Sequence, residues 1–176
     1  MKTLKERYGL YGHTISAFDL IHGIGLAAGL TPLKVEGATG YIDTNYEGKA
    51  AACLKGLETS NYIFLHVESP DESGHEGNLN HKLQAIEDFD KRIVGPVIDG
   101  LKNYNDYRVL IMPDHPTPIS IRTHSSDPVP FIICGSDDFN YDMNNTHGYS
   151  EKDGKETGLY LDEGHRLLEL MINGTL

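Results

Sequence analysis

The sequence has no tryptophan, only two cysteines and no apolar run long enough to cross a bilayer, since a crossing takes about 20 apolar residues. Cys53 and Cys134 form neither a CxxC pair nor a disulfide framework, which argues against a disulfide-rich secreted domain. The amino terminus also lacks the apolar segment of a signal peptide. We therefore expect a soluble, cytoplasmic protein with reduced thiols and no membrane partner.

Basic residues are scarce as well, because 15 Lys and Arg stand against 26 Asp and Glu, giving a formal net charge of -11. Nucleic-acid binding proteins neutralise phosphates with clustered basic side chains, and this sequence has no such cluster. It therefore argues against a nucleic-acid partner. An acidic chain can still bind an anionic substrate when metal ions supply local positive charge. The 9 His supply candidate ligands for such ions.

What is present is the composition of a globular domain: 176 residues, 39% hydrophobic and 23% charged. Strand and helix patterns alternate, which favours one α/β domain over residues 1–176, with a mainly parallel sheet and helices on both faces. A polar stretch over 135–158 is typical of a surface loop. The apolar spacing predicts helices over 15–28, 46–57, 79–101 (interrupted at Gly95–Pro96) and 161–172, and strands over 33–35, 62–67, 107–112 and 129–134.

Carboxylates and imidazoles follow the ends of the predicted strands, where functional groups of α/β domains gather. Asp71 and His75 follow the strand at 62–67, and their spacing of four puts both on one face of a helical turn. Asp114 and His115 follow the strand at 107–112, and His124 precedes the next strand. This mixture of His and Asp without thiolates favours a divalent ion such as Mn²⁺, Zn²⁺ or Co²⁺.

Each group taken alone also has a plainer explanation. Asp71 and His75 fit a capping carboxylate beside a surface imidazole, and Asp114-His115 between prolines fits a turn. Their joint occurrence at successive strand ends favours a metal site. Lys49 is a candidate contact for an anionic substrate, but its pattern favours a solvated lysine on a helix.

Several motifs together resemble one family, the archaeal-type 2,3-bisphosphoglycerate-independent phosphoglycerate mutases of the alkaline-phosphatase-like superfamily. The resemblance covers residues from about 8 to 133, and more loosely the rest, and looks like the C-terminal part of such an enzyme. Its motifs are HVESPDESGHEG, PDHPTP, RTHSSDPVPF, ISAFDLIHGIGLAAGL and GATGYIDTNYEGKA.

The resemblance implies two divalent metal ions, Mn, Co or Zn, in the full enzyme. By the family pattern Asp71, His75 and His124 match the ligands of one ion, and Asp114 and His115 match ligands of the other. It also implies interconversion of 3-phosphoglycerate and 2-phosphoglycerate through a phosphoserine. The family's N-terminal aspartate and nucleophilic serine have no counterpart here. We therefore expect an alkaline-phosphatase-like fold incomplete at its N-terminal side, at most one well-held ion and no turnover by the chain alone.

Two other functions are consistent with the same residues. One is another two-metal phosphatase or phosphomutase of the superfamily, and the other is a non-catalytic metal-binding module. The sequence does not indicate which residues hold the substrate. Because the resemblance implies missing strands, we also expect self-association through the truncated sheet.

Overall fold

The computed structural model describes residues 2–136 and 148–174, and their contacts divide into two compact units. The first unit comprises the described residues of Met1–Leu101 together with Thr117–Thr123. The second comprises those of Lys102–Pro116 and His124–Leu176. Much of the predicted loop over 135–158 lies at 137–147, outside the described residues.

The first unit contains a three-stranded parallel sheet. Its strands are β1 (Gly12–Ile15), β2 (Thr31–Leu33) and β3 (Tyr62–Leu65), in the spatial order β2-β1-β3. Ile15, the last residue of the central strand, is fully buried. The parallel sheet and its helices confirm the predicted α/β class.

The central strand was absent from the sequence prediction, which extended a helix over 15–28. The observed helix α2 is Asp19–Ala27, and it follows a short helix α1 (Leu4–Tyr8) and strand β1. A side chain at Gly25 would collide with Thr14 of β1. The glycine therefore allows α2 to lie directly against the sheet.

Helix α3 (Tyr46–Leu57) has the bounds that the sequence predicted. The Asn45 side chain begins it by accepting a hydrogen bond of 2.8 Å from the Gly48 N–H. Tyr46 and Ala50 bury their side chains in the core of the unit. Residues packed with them are Ile93, Leu65, Val67, Phe89 and Val97.

The predicted helix over 79–101 is divided into three parts. Helix α5 (Leu79–Phe89) leads into a π turn (Asp90–Val94), and helix α6 (Gly95–Leu101) follows. A proline inside an α-helix lacks a donor and clashes with the carbonyl four residues before it. The π turn ends at Val94, two residues before Pro96. Its wider winding interrupts the α-helix just before the predicted interruption at Gly95–Pro96.

The second unit contains an antiparallel pair, β4 (Arg108–Ile111) and β5 (Ile132–Gly135). Its helices are α7 (Glu151–Glu156), a 3₁₀ turn (Gly164–Arg166) and α8 (Leu167–Asn173).

Helix α8 packs against β4. The Arg108 guanidinium donates hydrogen bonds of 2.7 Å to the carbonyls of Met171 and Ile172, near the end of α8. No helix in the described part of the chain is both long and apolar enough to span a membrane.

Candidate metal centre

Helix α4 (Ser69–Glu76) lies just beyond the carboxyl-terminal edge of the parallel sheet. β3 leads into it through Glu68. Pro70 stands in its first turn, where the missing N–H costs no helical hydrogen bond. Gly77 ends the helix with a left-handed φ of 75°. The helix thus has defined ends, which fix the backbone positions of the side chains that it carries.

Helix α4 brings Asp71 and His75 together. The His75 Nε2 atom lies 3.4 Å from Asp71 Oδ1 across one helical turn. The Asp71 side chain is 27% exposed and the His75 side chain 37%, so both are partly buried and still accessible to solvent. A carboxylate oxygen and an imidazole nitrogen on one face are a donor pair that divalent metals accept.

The hydrogen bond at the other ring nitrogen of His75 determines its tautomer, and the tautomer determines whether the pair suits a cation. His75 Nδ1 lies 3.0 Å from the Arg122 carbonyl oxygen. A carbonyl only accepts, so Nδ1 carries the hydrogen, and in the neutral ring Nε2 presents its lone pair toward Asp71. Two electron-pair donors facing each other are stabilised by a cation between them. Metal-binding histidines are commonly oriented by this kind of backbone contact, so the donor set fits a divalent ion.

Two further side chains fix Asp71, and the sequence analysis did not identify either. The Thr117 hydroxyl donates a hydrogen bond to Asp71 Oδ1, and Thr117 is 4% exposed. The Lys82 ammonium donates to the carbonyls of Pro70 at 2.7 Å and of Thr117 at 3.3 Å. Burial lowers the pKa of Lys82, and the negative charge of Asp71 opposes that shift. The position of Thr117 in PDHPTP was the only sequence signal for either residue.

Beneath α4 lies a buried polar network centred on the carboxylate of Glu68. Oε1 accepts from Ser16 Oγ at 2.5 Å and from the Ala17 N–H at 2.8 Å. Lys49 Nζ donates to Oε2 at 2.8 Å, and His66 Nδ1 lies 3.2 Å from Oε1. These contacts tie the carboxyl ends of β1 and β3 to helix α3. The network thereby fixes Glu68, which directly precedes α4 and lies three residues before Asp71.

The pKa of Glu68 reflects this network. Burial by itself raises the pKa, but hydrogen bonds from His66, Lys49 and Ser16, with the Lys49 charge, outweigh it and hold the pKa well below the ordinary range of a glutamate. Glu68 therefore contributes stability at neutral pH, and that contribution is lost as the pH falls below the ordinary carboxyl range.

The prediction of a solvated Lys49 is wrong. The side chain is fully buried, and its ammonium also donates to the His66 carbonyl at 3.3 Å. Its partner Glu68 lies 19 residues further along the chain, beyond the reach of any local pattern. Lys49 is therefore a structural cation of the first unit.

The second unit holds the other three predicted ligands. Asp114 Oδ2 lies 3.5 Å from His115 Nε2, and the ring centroids of His115 and His124 are 3.7 Å apart with planes tilted by 31°. None of these three residues lies in a helix or a strand. The structure thus places His115 and His124 in direct contact, whereas the family pattern assigns them to different ions.

A cleft of about 300 Å³ opens beside Asp114 and His115 within the second unit. Its polar side is formed by Ser125 and Asp127, whose side chains share a hydrogen bond of 2.7 Å. The apolar side is formed mainly by Met112, Val129, Phe131, Leu159, Leu161 and Leu167. The cleft therefore combines two candidate metal ligands, Asp114 and His115, with a partly apolar wall.

The comparisons with known proteins agree with the motifs. A family model described as Metalloenzyme superfamily matches residues 1–173. A Geobacter sulfurreducens protein, named probable 2,3-bisphosphoglycerate-independent phosphoglycerate mutase, is 51% identical over 173 residues, covering 98% of this chain and 43% of that protein. A Methanosarcina acetivorans protein, named 2,3-bisphosphoglycerate-independent phosphoglycerate mutase, is 54% identical over 137 residues, covering 77% of this chain and 34% of that protein.

The fold has a solved counterpart in the PH0037 protein from Pyrococcus horikoshii. The TM-score is 0.86 at 28% identity, with 98% of this chain and 51% of that chain covered. The chain spans less than half the length of the two curated relatives described above. The matches confirm the resemblance that the motifs predicted.

Proposed function

The chain belongs to the Metalloenzyme superfamily, which implies divalent metal binding, and from this premise we propose that it is the metal-binding part of a cofactor-independent phosphoglycerate mutase. The substrate pair of the proposed reaction is 3-phosphoglycerate and 2-phosphoglycerate. The names of the relatives support the reaction, and the described geometry supports the metal. We further propose that residues 1–176 belong to one phosphatase-like domain and that the protein acts in the cytoplasm.

One observation carries the metal-binding part of the proposal. His75 Nε2 faces Asp71 Oδ1 at 3.4 Å, while its Nδ1 is engaged by the Arg122 carbonyl. A pair oriented in this way requires little rearrangement to bind an ion, because its tautomer and ring orientation are already set.

The ligand assignment follows the family pattern. We propose that Asp71, His75 and His124 bind one divalent ion, and that Asp114 and His115 bind the second. Mn²⁺, Co²⁺ and Zn²⁺ all suit nitrogen and oxygen donors. When bound, such ions activate a hydroxyl nucleophile and balance the charge of a phosphoryl group in transfer. Within this chain, Thr117 and Lys82 would hold Asp71 and its helix in place.

The proposed activity belongs to the full-length enzyme. The sequence has no counterpart of the family's nucleophilic serine, and a phosphoserine intermediate needs that hydroxyl. We therefore propose that this chain alone is inactive and binds at most one ion well. We also propose that the isolated chain self-associates through its sheet.

A hybrid protein tests the function. This chain replaces the matching 43% of the Geobacter sulfurreducens protein, and conversion of 3-phosphoglycerate is measured with Mn²⁺ present. The hybrid should turn over, and Asp71→Ala should abolish turnover because the first ion loses a ligand. Glu72→Ala, one residue along the same helix, is the matched control and should retain turnover.

Two results would contradict the proposal. One is a hybrid that folds and binds Mn²⁺ but shows no turnover. The other is turnover that persists in Asp71→Ala. For the isolated chain, turnover above a no-protein blank would overturn the expected inactivity.

A further inference from the structure

Arg122 has an unusual backbone conformation. Its φ of 54° is left-handed, and no other non-glycine residue in the described part of the chain has a positive φ. Such a conformation is disfavoured for an L-residue with a Cβ atom. The Arg122 N–H donates to the Pro118 carbonyl at 2.9 Å, and the Ile121 N–H donates to the same carbonyl at 3.1 Å. A tight turn thus ends in this strained residue.

The left-handed conformation directs the Arg122 carbonyl toward helix α4. It places the carbonyl oxygen 3.0 Å from His75 Nδ1, and this contact holds the hydrogen on Nδ1. The other nitrogen, Nε2, then faces Asp71 Oδ1. Strained backbone persists where the surrounding structure compensates for it, and such places cluster at functional sites.

We propose that Arg122 is a positioning residue of the metal site, and that it acts through its backbone carbonyl rather than its guanidinium. The carbonyl selects the Nδ1–H tautomer of His75 and fixes the ring, so that Nε2 is the metal-binding atom. The inference rests on the metal site of the proposed function and adds a residue to it.

The guanidinium has a separate contact. It lies over Gly77, where a side chain would collide with Arg122, at the left-handed end of α4. A cation at a helix C-terminus interacts favourably with the helix dipole. The side chain and the carbonyl of Arg122 therefore contact α4 at different points, and substitutions can separate them.

A matched pair of variants makes that separation. Arg122→Gly removes the guanidinium but adopts a φ of 54° without strain. Arg122→Val also removes the guanidinium, but its β-branched side chain strongly disfavours a positive φ. The two variants thus differ in the backbone conformation and share the lost charge.

The first readout needs no metal. Long-range ¹H–¹⁵N NMR of the metal-free chain reports which His75 nitrogen carries the hydrogen. Wild type and Arg122→Gly should show the Nδ1–H tautomer, and Arg122→Val should show a mixture or the Nε2–H form. The second readout is Mn²⁺ affinity by calorimetry. Arg122→Gly should stay close to wild type, and Arg122→Val should bind about 10–100-fold more weakly.

Three results would overturn the proposal. The first is Arg122→Val with an unchanged tautomer and an unchanged affinity. The second is Arg122→Gly weakened as much as Arg122→Val, which would assign the effect to the guanidinium. If Arg122→Val does not fold, Arg122→Ala replaces it, since alanine lacks the β-branch but still disfavours positive φ. An Arg122→Ala protein equal to Arg122→Gly in both readouts is the third.

The proposed function fails separately. If no variant and no wild-type protein binds Mn²⁺, the metal-binding function is overturned. A tautomer difference between Arg122→Gly and Arg122→Val would still support the positioning of His75.

Discussion

The two compact units hold the same kinds of chemical group in different ways. In the first unit, Asp71 and His75 project from a helix with defined ends, and Thr117 and Arg122 contact them from a second segment. In the second unit, the Asp114 side chain is 63% exposed and stands outside any helix or strand. The same types of candidate ligand can thus be held by a helix with buried contacts or lie on an irregular chain segment.

The two units also differ in the buried residues that support these groups. The first unit places a fully buried lysine and a carboxylate with four polar neighbours next to the start of α4, the helix that carries Asp71 and His75. A buried polar network is stabilising only while every member is satisfied. We therefore expect changes in that network to lower the stability of the first unit strongly. Substitutions at Asp114 should affect the stability of the second unit little.

The largest expected effect comes from Glu68→Gln. The variant leaves the Lys49 charge buried without its counterion, so the first unit should lose about 3–5 kcal/mol of unfolding free energy. Asp114→Asn should change the unfolding free energy of the second unit by less than about 0.5 kcal/mol. Hydrogen exchange of amides in β1 and β3, compared with those in β4, resolves the two units.

The control for Glu68→Gln is Glu47→Gln. It removes an exposed ion pair in which Arg92 Nε lies 2.7 Å from Glu47 Oε1, which should cost about 0–1 kcal/mol. Equal losses for Glu68→Gln and Glu47→Gln would show that the buried network does not distinguish the first unit.

A smaller effect is expected from Gly74→Ala in helix α4. Its new methyl group would collide with Thr117, and overpacking of this kind costs about 1–3 kcal/mol. Gly154→Ala in α7 of the second unit meets only ordinary contact with Pro130. That variant should gain up to about 1 kcal/mol from helix propensity. Urea unfolding followed by circular dichroism measures both changes.

The matched helix control in the first unit is Gly23→Ala. Among the described residues, no atom beyond the neighbouring turns of its own helix lies within 4 Å of its added methyl group, so the variant should be neutral or stabilising. Destabilisation by Gly23→Ala as large as that by Gly74→Ala would contradict a specific collision with Thr117.

The smallest expected effect is a difference in the rates at which the two cysteines are chemically labelled. Cys53 in α3 is 6% exposed, and burial raises the pKa of its thiol to about 11. Cys134 in β5 is only partly buried. An aromatic disulfide reagent at pH 8 should modify Cys134 first and Cys53 only on unfolding, because the thiolate is the reactive form.

Single variants identify the two thiols. Cys134→Ser should remove the fast phase of labelling, and Cys53→Ser should leave it unchanged. Equal rates at the two cysteines would contradict the expected protection of Cys53 in the folded first unit.

The elements predicted most accurately were those with a clear local pattern. Helix α3 begins at an Asn cap and has the predicted bounds, Tyr46–Leu57. Strand β1 is absent from the sequence prediction because it is only four residues long, and its last residue, Ile15, fits the apolar pattern of the helix predicted over 15–28. The α/β class survived this error, since the alternation of strands and helices remained.

The candidate ligands were predicted from spacing and resemblance, but the groups that orient them were not. Lys49 was assigned to solvent because its partner is 19 residues away. The contribution of Arg122 comes from a carbonyl and a φ angle, and neither depends on the type of side chain. Such contacts depend on tertiary packing, which no local pattern describes.

The π turn Asp90–Val94 places α6 after a stretch wound more loosely than an α-helix. Each residue of an α-helix turns the chain by about 100°. The side of α6 that meets α3 is therefore set by the number of residues in this turn more than by their chemical nature. A one-residue deletion there would rotate Val97 away from its core neighbours, whereas many substitutions would keep it in place. In this part of the chain, length is under tighter constraint than composition.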